Sequence, residues 1–201
     1  HKYGDIMQIA VPVKSWRADE MERLGAWSEA LATWQSIYQT NNLEHFWQKK
    51  SLIKIGEIAT KIGQNTVAIQ AYEEIIKKHK SDQNAYRTAI DGFRYVVAQR
   101  AQELEEKNDF LAAYAVYQRA ILYDLSSIQA YRESIRLAYK INKIDETIQF
   151  YEEKCQTNQD DPIAHYAYGI ALSYDPKELS NKWNKSEKAL RKSLELSPKL
   201  Y

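Results

Sequence analysis

The sequence is poor in the residues that cross-link small folds and form tight turns. It holds one cysteine, six glycines and four prolines in 201 residues. A single cysteine excludes an internal disulfide framework, and an all-β chain of short strands normally needs more glycine and proline. No run of 18 apolar residues occurs. We therefore predict no membrane-spanning helix.

An excess of charge of one sign is also missing. Lys and Arg total 28 and Asp and Glu total 27, which leaves a net charge of +1. A nucleic-acid binder that relies on overall positive charge is therefore disfavoured. The chain begins with His1, so the absence of a targeting segment is uninformative. Localisation stays open, with the cytoplasm slightly favoured and the periplasm possible.

Related segments recur along the chain. Residues 69–74, IQAYEE, return with one change at 148–153, 79 residues later. The tripeptide at 85–87 returns at 130–132, 45 residues later, so the two offsets differ by 34. Such self-similarity is typical of repeat architectures.

The recurring segments have helical spacing. Ala68, Tyr72 and Ile75 lie on one face of a helix, and a matching set begins at Ala113. A second apolar helix precedes each segment, and short polar or glycine-bearing breaks separate the two. One such pair cannot bury its apolar stripe, but stacked pairs can. We predict five antiparallel pairs, at about 13–42, 45–82, 83–127, 128–161 and 162–198.

The pattern resembles the tetratricopeptide repeat (TPR) family. Leu52, Ile55, Gly56 and Ala59 resemble the first half of that repeat, and the spacing at Ala68 resembles the second half. The resemblance covers roughly residues 25–201. It implies an all-α, right-handed superhelical solenoid over 13–201 that binds a partner peptide or domain in a concave groove. The chaperone-binding subfamily carries other residues at its clamp positions, so we do not extend that role to this chain.

Two segments depart from a regular repeat. Eleven extra residues precede Ala113, and the segment 84–106 contains only one glycine and no proline. We predict one helix of about 23 residues there, in a hairpin that protrudes. Residues 1–12 show no helical period and are predicted to form an extended leader or a linker.

Catalytic and metal-binding patterns are missing. The sequence has no His-Glu-x-x-His pair, no second cysteine and no glycine-rich phosphate loop. Adjacent carboxylates such as Glu73 and Glu74 diverge by about 100° on a helix and indicate a solvated face. His79 ends a lysine-rich helix, where a cation suits the helix dipole. We predict no enzyme, no cofactor and no metal.

Exposed positions of the first helices would line the groove of such a solenoid. Cations outnumber acids there, and Arg pairs carboxylates through two parallel hydrogen bonds. We predict an acidic or aromatic-bearing protein segment as the ligand. The candidate residues are Arg87, Arg94, Tyr95, Arg132, Arg136, Tyr139, Lys140 and Tyr166.

Alternatives remain open at this point. The chain is either a free scaffold or the regulatory or docking segment of a larger multidomain protein. A single-stranded nucleic-acid binder is a third class, disfavoured by the net charge. The last helix carries Trp183, Leu190 and Leu194 where a capping helix is normally polar. This predicts either a longer parent protein or self-association through that end.

Overall fold

The computed structural model describes residues 2–174 and 179–199, and the side chains of 10–174 and 183–199. Within these ranges the chain forms α-helices and no β-strand. Contacts between Cα atoms divide it into two compact units, His1–Arg100 and Ala101–Tyr201, with α5 contributing to each. The helices are α1 (Lys2–Arg23), α2 (Trp27–Tyr38), α3 (His45–Lys61), α4 (Asn65–Lys78), α5 (Gln83–Glu106), α6 (Phe110–Tyr123), α7 (Ile128–Lys140), α8 (Ile144–Thr157), α9 (Pro162–Ser173) and α10 (Leu179–Leu196).

Turns of three residues join α1 to α2, α3 to α4, α5 to α6 and α7 to α8. The middle residue of each turn has positive φ, and it is Gly25, Gly63, Asn108 or Asn142. The next residue donates its N–H to a carbonyl five positions back, as Gln64 does to Ala59 at 2.8 Å. This is the Schellman arrangement, which satisfies carbonyls at the end of a helix and reverses the chain.

The prediction of one long helix is confirmed by α5, which has 24 residues. Its partner α6 has 14 residues, the same as α4 and α8. The extra residues of this pair therefore lie in its first helix. Protrusion of the hairpin stays a prediction.

The core of the first unit forms around the small and aromatic residues that carried the repeat pattern. Ala30, Trp34 and Ile37 on α2 are fully buried, as are Ala68 and Ile75 on α4. In α3 the residues that matched the first half of the repeat are buried, namely Leu52, Ile55, Gly56 and Ala59. The apolar stripes of paired helices thus cover one another.

The core of the second unit is rich in tyrosine. Tyr131, Ile135, Tyr151 and Tyr166 form one buried cluster with Ala167. Ser186 of α10 donates a hydrogen bond to the carbonyl of Gly169 at 2.7 Å. A Cβ on Gly169 would lie 2.7 Å from Cγ of Leu190, so glycine permits the close approach of α9 and α10.

The prediction of an extended leader over 1–12 is wrong for the residues that the structure describes. α1 is helical from Lys2 and contains Pro12. Val11, Ser15 and Ala18 are buried along one face of it, at i, i+4 and i+7. Only Val11 of these three lies within 1–12, and one buried apolar position shows no helical period.

The five tryptophans differ widely in burial. Trp34 is fully buried, and its indole N–H donates to Glu22 at 2.9 Å. Trp27 and Trp47 are half-buried. Trp16 and Trp183 are 70% and 60% exposed. These two rings lie on the outer faces of α1 and α10.

Candidate peptide-binding surfaces

Five of the predicted binding residues lie in the second unit, and four of them are on α7. Ser127 is the N-cap of this helix, and its hydroxyl accepts a hydrogen bond from the N–H of Ala130 at 3.3 Å. Its buried face packs against α6 and α9. That face consists of Ala130, Tyr131, Ser134, Ile135, Leu137 and Ala138. The opposite face presents the four predicted residues Arg132, Arg136, Tyr139 and Lys140.

Arg136 is bound within the protein. Its guanidinium donates to Glu105 at 2.5 Å and to Glu133 at 2.7 Å, and only 27% of the side chain is exposed. The hydrogen bond that Arg136 donates to Glu105 raises the pKa of Arg136, and the same bond lowers the pKa of Glu105. Arg136 therefore ties α7 to the end of α5. This corrects its predicted role as a free anchor.

Lys140 takes part in the same cluster. Its Nζ lies 3.5 Å from Glu105 and 4.4 Å from the centroid of the Phe110 ring. The side chain is still 40% exposed. Lys140 stabilises the junction between α5, α6 and α7 and leaves part of its surface open.

Arg132 and Tyr139 are the accessible members of the set. Arg132 is 56% exposed, and its Nε lies 3.3 Å from Glu133, with which it forms an exposed pair between neighbouring residues. Tyr139 is 44% exposed, and its ring centroid lies 5.7 Å from that of Tyr174. Exposed ion pairs add little stability, so the Arg132 guanidinium can exchange Glu133 for another carboxylate.

Tyr166 does not belong to an exposed surface. It is 4% exposed and lies in the core cluster with Tyr131 and Ile135. The structure thus overturns its predicted role as a groove residue. The physical reason is the burial of α9 between its neighbours, since α7, α8 and α10 all pack against it.

The remaining predicted residues lie on α5 in the first unit. Arg87, Arg94 and Tyr95 are exposed, and Tyr95 has 56% of its surface open. The buried face of this part of α5 contains Ala89 and Phe93. Arg87 and Arg94 are seven residues apart and so share one side of the helix.

Two titratable residues that were predicted to carry a solvated charge are buried instead. Glu73 is 3% exposed, so its pair with Glu74 is not a solvated face. His79 is 2% exposed, and its ring centroid lies 4.6 Å from that of His45. Burial lowers the pKa of His79, and the nearby His45 and Lys49 add to this. The residue is therefore neutral near pH 7 and does not supply the predicted cation.

Within the described residues, no group of three potential metal ligands comes together. None of the helices there combines the length and apolarity that a bilayer crossing requires. Cys155 is half-buried, and burial raises the pKa of its thiol to about 11. The thiol is therefore protonated at neutral pH.

The helix pairs and their recurring turns define an all-α fold of antiparallel helix pairs, as the resemblance to the TPR family implies. No protein-family model and no curated protein matches the chain. Among solved structures it is similar to MamA, with 18% identity over 90% of this chain and 95% of the other and a TM-score of 0.39.

Two further structures are similar at the same level. YrrB, a TPR protein with an unusual peptide-binding site, is 13% identical over 90% of this chain and 84% of its own, with a TM-score of 0.39. The P58(IPK) TPR domain is 15% identical over 92% of this chain and 55% of its own, with a TM-score of 0.38. At TM-scores below 0.5, these likenesses carry no argument about function.

Proposed function

We propose that this protein is an interaction scaffold without catalytic activity, and that the outer face of α7 binds a segment of a partner protein. One observation carries the proposal. Arg132 and Tyr139 stay exposed on a helix whose other face is buried, and Tyr139 is backed by Tyr174. Rigid tyrosine rings and arginine are the side chains that contribute most at protein interfaces.

The chemistry of this surface favours an acidic or aromatic-bearing segment. Arg132 supplies a guanidinium that can hold a carboxylate by two hydrogen bonds. The Tyr139 and Tyr174 rings, 37° apart, offer an apolar area with polar tips. Arg87 and Tyr95 on α5 supply the same two chemical groups in the first unit.

The test must avoid Arg136, because its removal would break the ion pairs that tie α7 to the end of α5. We therefore choose R132E/Y139A, two exposed positions. In affinity capture with the intact gene product, this variant should lose a partner that wild type retains. The matched control is K143E/L122A, which changes charge equally and truncates Leu122, a side chain that is 77% exposed.

The two variants together separate a local effect from a general one. Circular dichroism should show the same helix content in both. Equal capture of every partner by wild type and R132E/Y139A would contradict the proposal. Loss of capture in the control as well would also count against it, because the effect would then follow net charge rather than the α7 surface.

Self-association through α10 remains a further part of the proposal. Trp183 and Leu194 are 60% and 44% exposed. They are eleven residues apart and so fall on one side of the helix, together with the half-buried Leu190. An exposed apolar strip of this kind is typical of an association surface.

A further inference from the structure

A groove of about 790 Å³ lies in the second unit between α8 and α10, with α9 below it. Its floor includes Cys155, Tyr168 and Ala189, one from each helix. None of the residues predicted to bind a ligand lines this groove. Its volume is within the range of ligand-binding clefts.

The α10 wall of the groove carries a row of lysines. Lys185, Lys188 and Lys192 all line it, and their spacing of three and four residues places them on one side of the helix. Within the described residues none of the three forms an ion pair, whereas Arg191 at the edge is paired with Glu187 at 2.8 Å. This row therefore gives the α10 wall a concentration of positive charge.

The α8 wall differs in chemistry. It presents Glu152 and Gln156 from α8 and Gln159 from the turn that follows. Glu152 accepts a hydrogen bond from the Tyr168 hydroxyl at 2.8 Å, and the Gln159 carbonyl lies 2.9 Å from Nε2 of His165. This wall offers amide groups and one fixed carboxylate. Two further acids line the groove from α10, namely Glu187, which is paired with Arg191, and Glu195, beyond Lys192.

We propose that this groove binds an extended acidic segment of a partner protein, with alternate carboxylates on Lys185, Lys188 and Lys192. The spacing supports this arrangement. Side chains one helical turn apart are about 5–6 Å apart, and alternate residues of an extended chain are separated by about 6.6 Å. The intervening side chains would then point toward Gln156 and Gln159, where hydroxyl or amide groups can pair with them.

The direct test uses a fluorescein-labelled ten-residue peptide of alternating Glu and Thr, followed by anisotropy at low salt. Wild type should bind it, and K188E/K192E should weaken binding at least tenfold because two attractions become repulsions. The control K107E/K143E carries the same change of net charge on turns away from the groove and should stay within twofold. E152Q should bind a few-fold more tightly, since it removes a facing carboxylate.

Cys155 reports on the place of binding. It is the only cysteine of the chain and lies on the groove floor. Bound peptide should slow its alkylation by N-ethylmaleimide at pH 9 several-fold, while a Lys-Thr peptide of equal length should not. Unchanged affinity in K188E/K192E, or no protection of Cys155 at saturating peptide, overturns the inference.

Two further measurements distinguish peptide binding in this groove from binding on α7 and from binding of a nucleic acid. The α7 face is itself proposed to hold an acidic segment, so R132E/Y139A is followed by the alkylation of Cys155, which lines the groove. Peptide should still protect the thiol in this variant. If the variant loses both peptide binding and protection, the peptide sits on the α7 face and the groove inference fails while the proposed function stands. Tighter binding of a ten-nucleotide oligouridine than of the peptide, with the same lysine dependence, would overturn the inference in favour of a nucleic-acid site.

Discussion

The ring of Tyr72 is closely packed against the backbone of two other helices in the first unit. This side chain is 3% exposed on α4 and touches glycines on two other helices. A Cβ on Gly56 of α3 would lie 2.6 Å from its Cε1, and a Cβ on Gly92 of α5 would overlap its Cζ. The ring can occupy this place only because neither glycine has a side chain.

We therefore expect G56A and G92A each to destabilise the protein by about 1–3 kcal/mol, the usual cost of overpacking a core. The quantity to measure is the free energy of unfolding in urea. Alanine has a higher helix propensity than glycine by about 1 kcal/mol. The measured loss of stability therefore understates the cost of the steric clash.

A double-mutant cycle with Y72L supplies the control. The smaller side chain removes the clash, so G92A should cost much less in a Y72L background than in wild type. A cost that is identical in both backgrounds would show that Tyr72 is not the residue in contact.

Single residues also show where prediction from sequence stops. The binding role of Arg136 was overturned because its partner Glu105 lies 31 residues away on another helix. The predicted binding role of Tyr166 was wrong because three neighbouring helices bury α9. Both outcomes depend on tertiary contacts, which cannot be derived from the helical phase of the residues alone. Exposure of Arg132 and Tyr139, by contrast, follows from the phase of α7.

Among the structural elements, the turn within a helix pair is the most regular. Four turns share a left-handed middle residue, which is glycine at 25 and 63 and asparagine at 108 and 142. Asparagine tolerates this conformation better than other residues with a Cβ. Glycine and asparagine thus occupy equivalent positions. This indicates that the required backbone conformation, rather than a lack of room for a side chain, selects the residue.

Gly63 tests this point cleanly, because it has φ +74° and a Cβ there would meet nothing within 4 Å. G63A should cost about 1–2 kcal/mol through backbone strain alone. G63N should cost clearly less, since asparagine occupies the matching position elsewhere. Unfolding in urea distinguishes them, and equal losses in the two variants would rule out conformation as the cause.

The elements themselves were largely predictable. The periodic apolar residues predicted all-α structure, and the absence of proline predicted the length of α5. The part of α1 before residue 13 was missed because Val11 is the one residue there that the structure describes as buried, and a single position shows no helical period. The lysine row of α10 is visible in the sequence, but the groove that it faces is formed by α8 and α9 and so could not be predicted from it.

At the scale of the whole molecule, buried tyrosines are the common feature of both units. Tyr72, Tyr117, Tyr131 and Tyr151 are each less than 10% exposed. Burial raises the pKa of Tyr72 and Tyr151, and it raises the pKa of Tyr117 and Tyr131 to about 12. Most of the buried aromatic side chains among the described residues are therefore phenols, which can ionise.

This makes stability sensitive to alkali. A phenol with a raised pKa keeps its proton when folded, whereas the unfolded chain loses it from about pH 10. The unfolded state then binds fewer protons, so stability falls as pH rises from about 10 to 12, by up to about 1.4 kcal/mol per pH unit for each tyrosine.

Urea unfolding followed by circular dichroism at pH 8.5, 10 and 11 should show this decline. Y117F keeps the ring and removes one phenol, so its decline should be shallower. An identical slope in Y117F and wild type would mean that the ionisation of buried tyrosine does not set the alkaline limit.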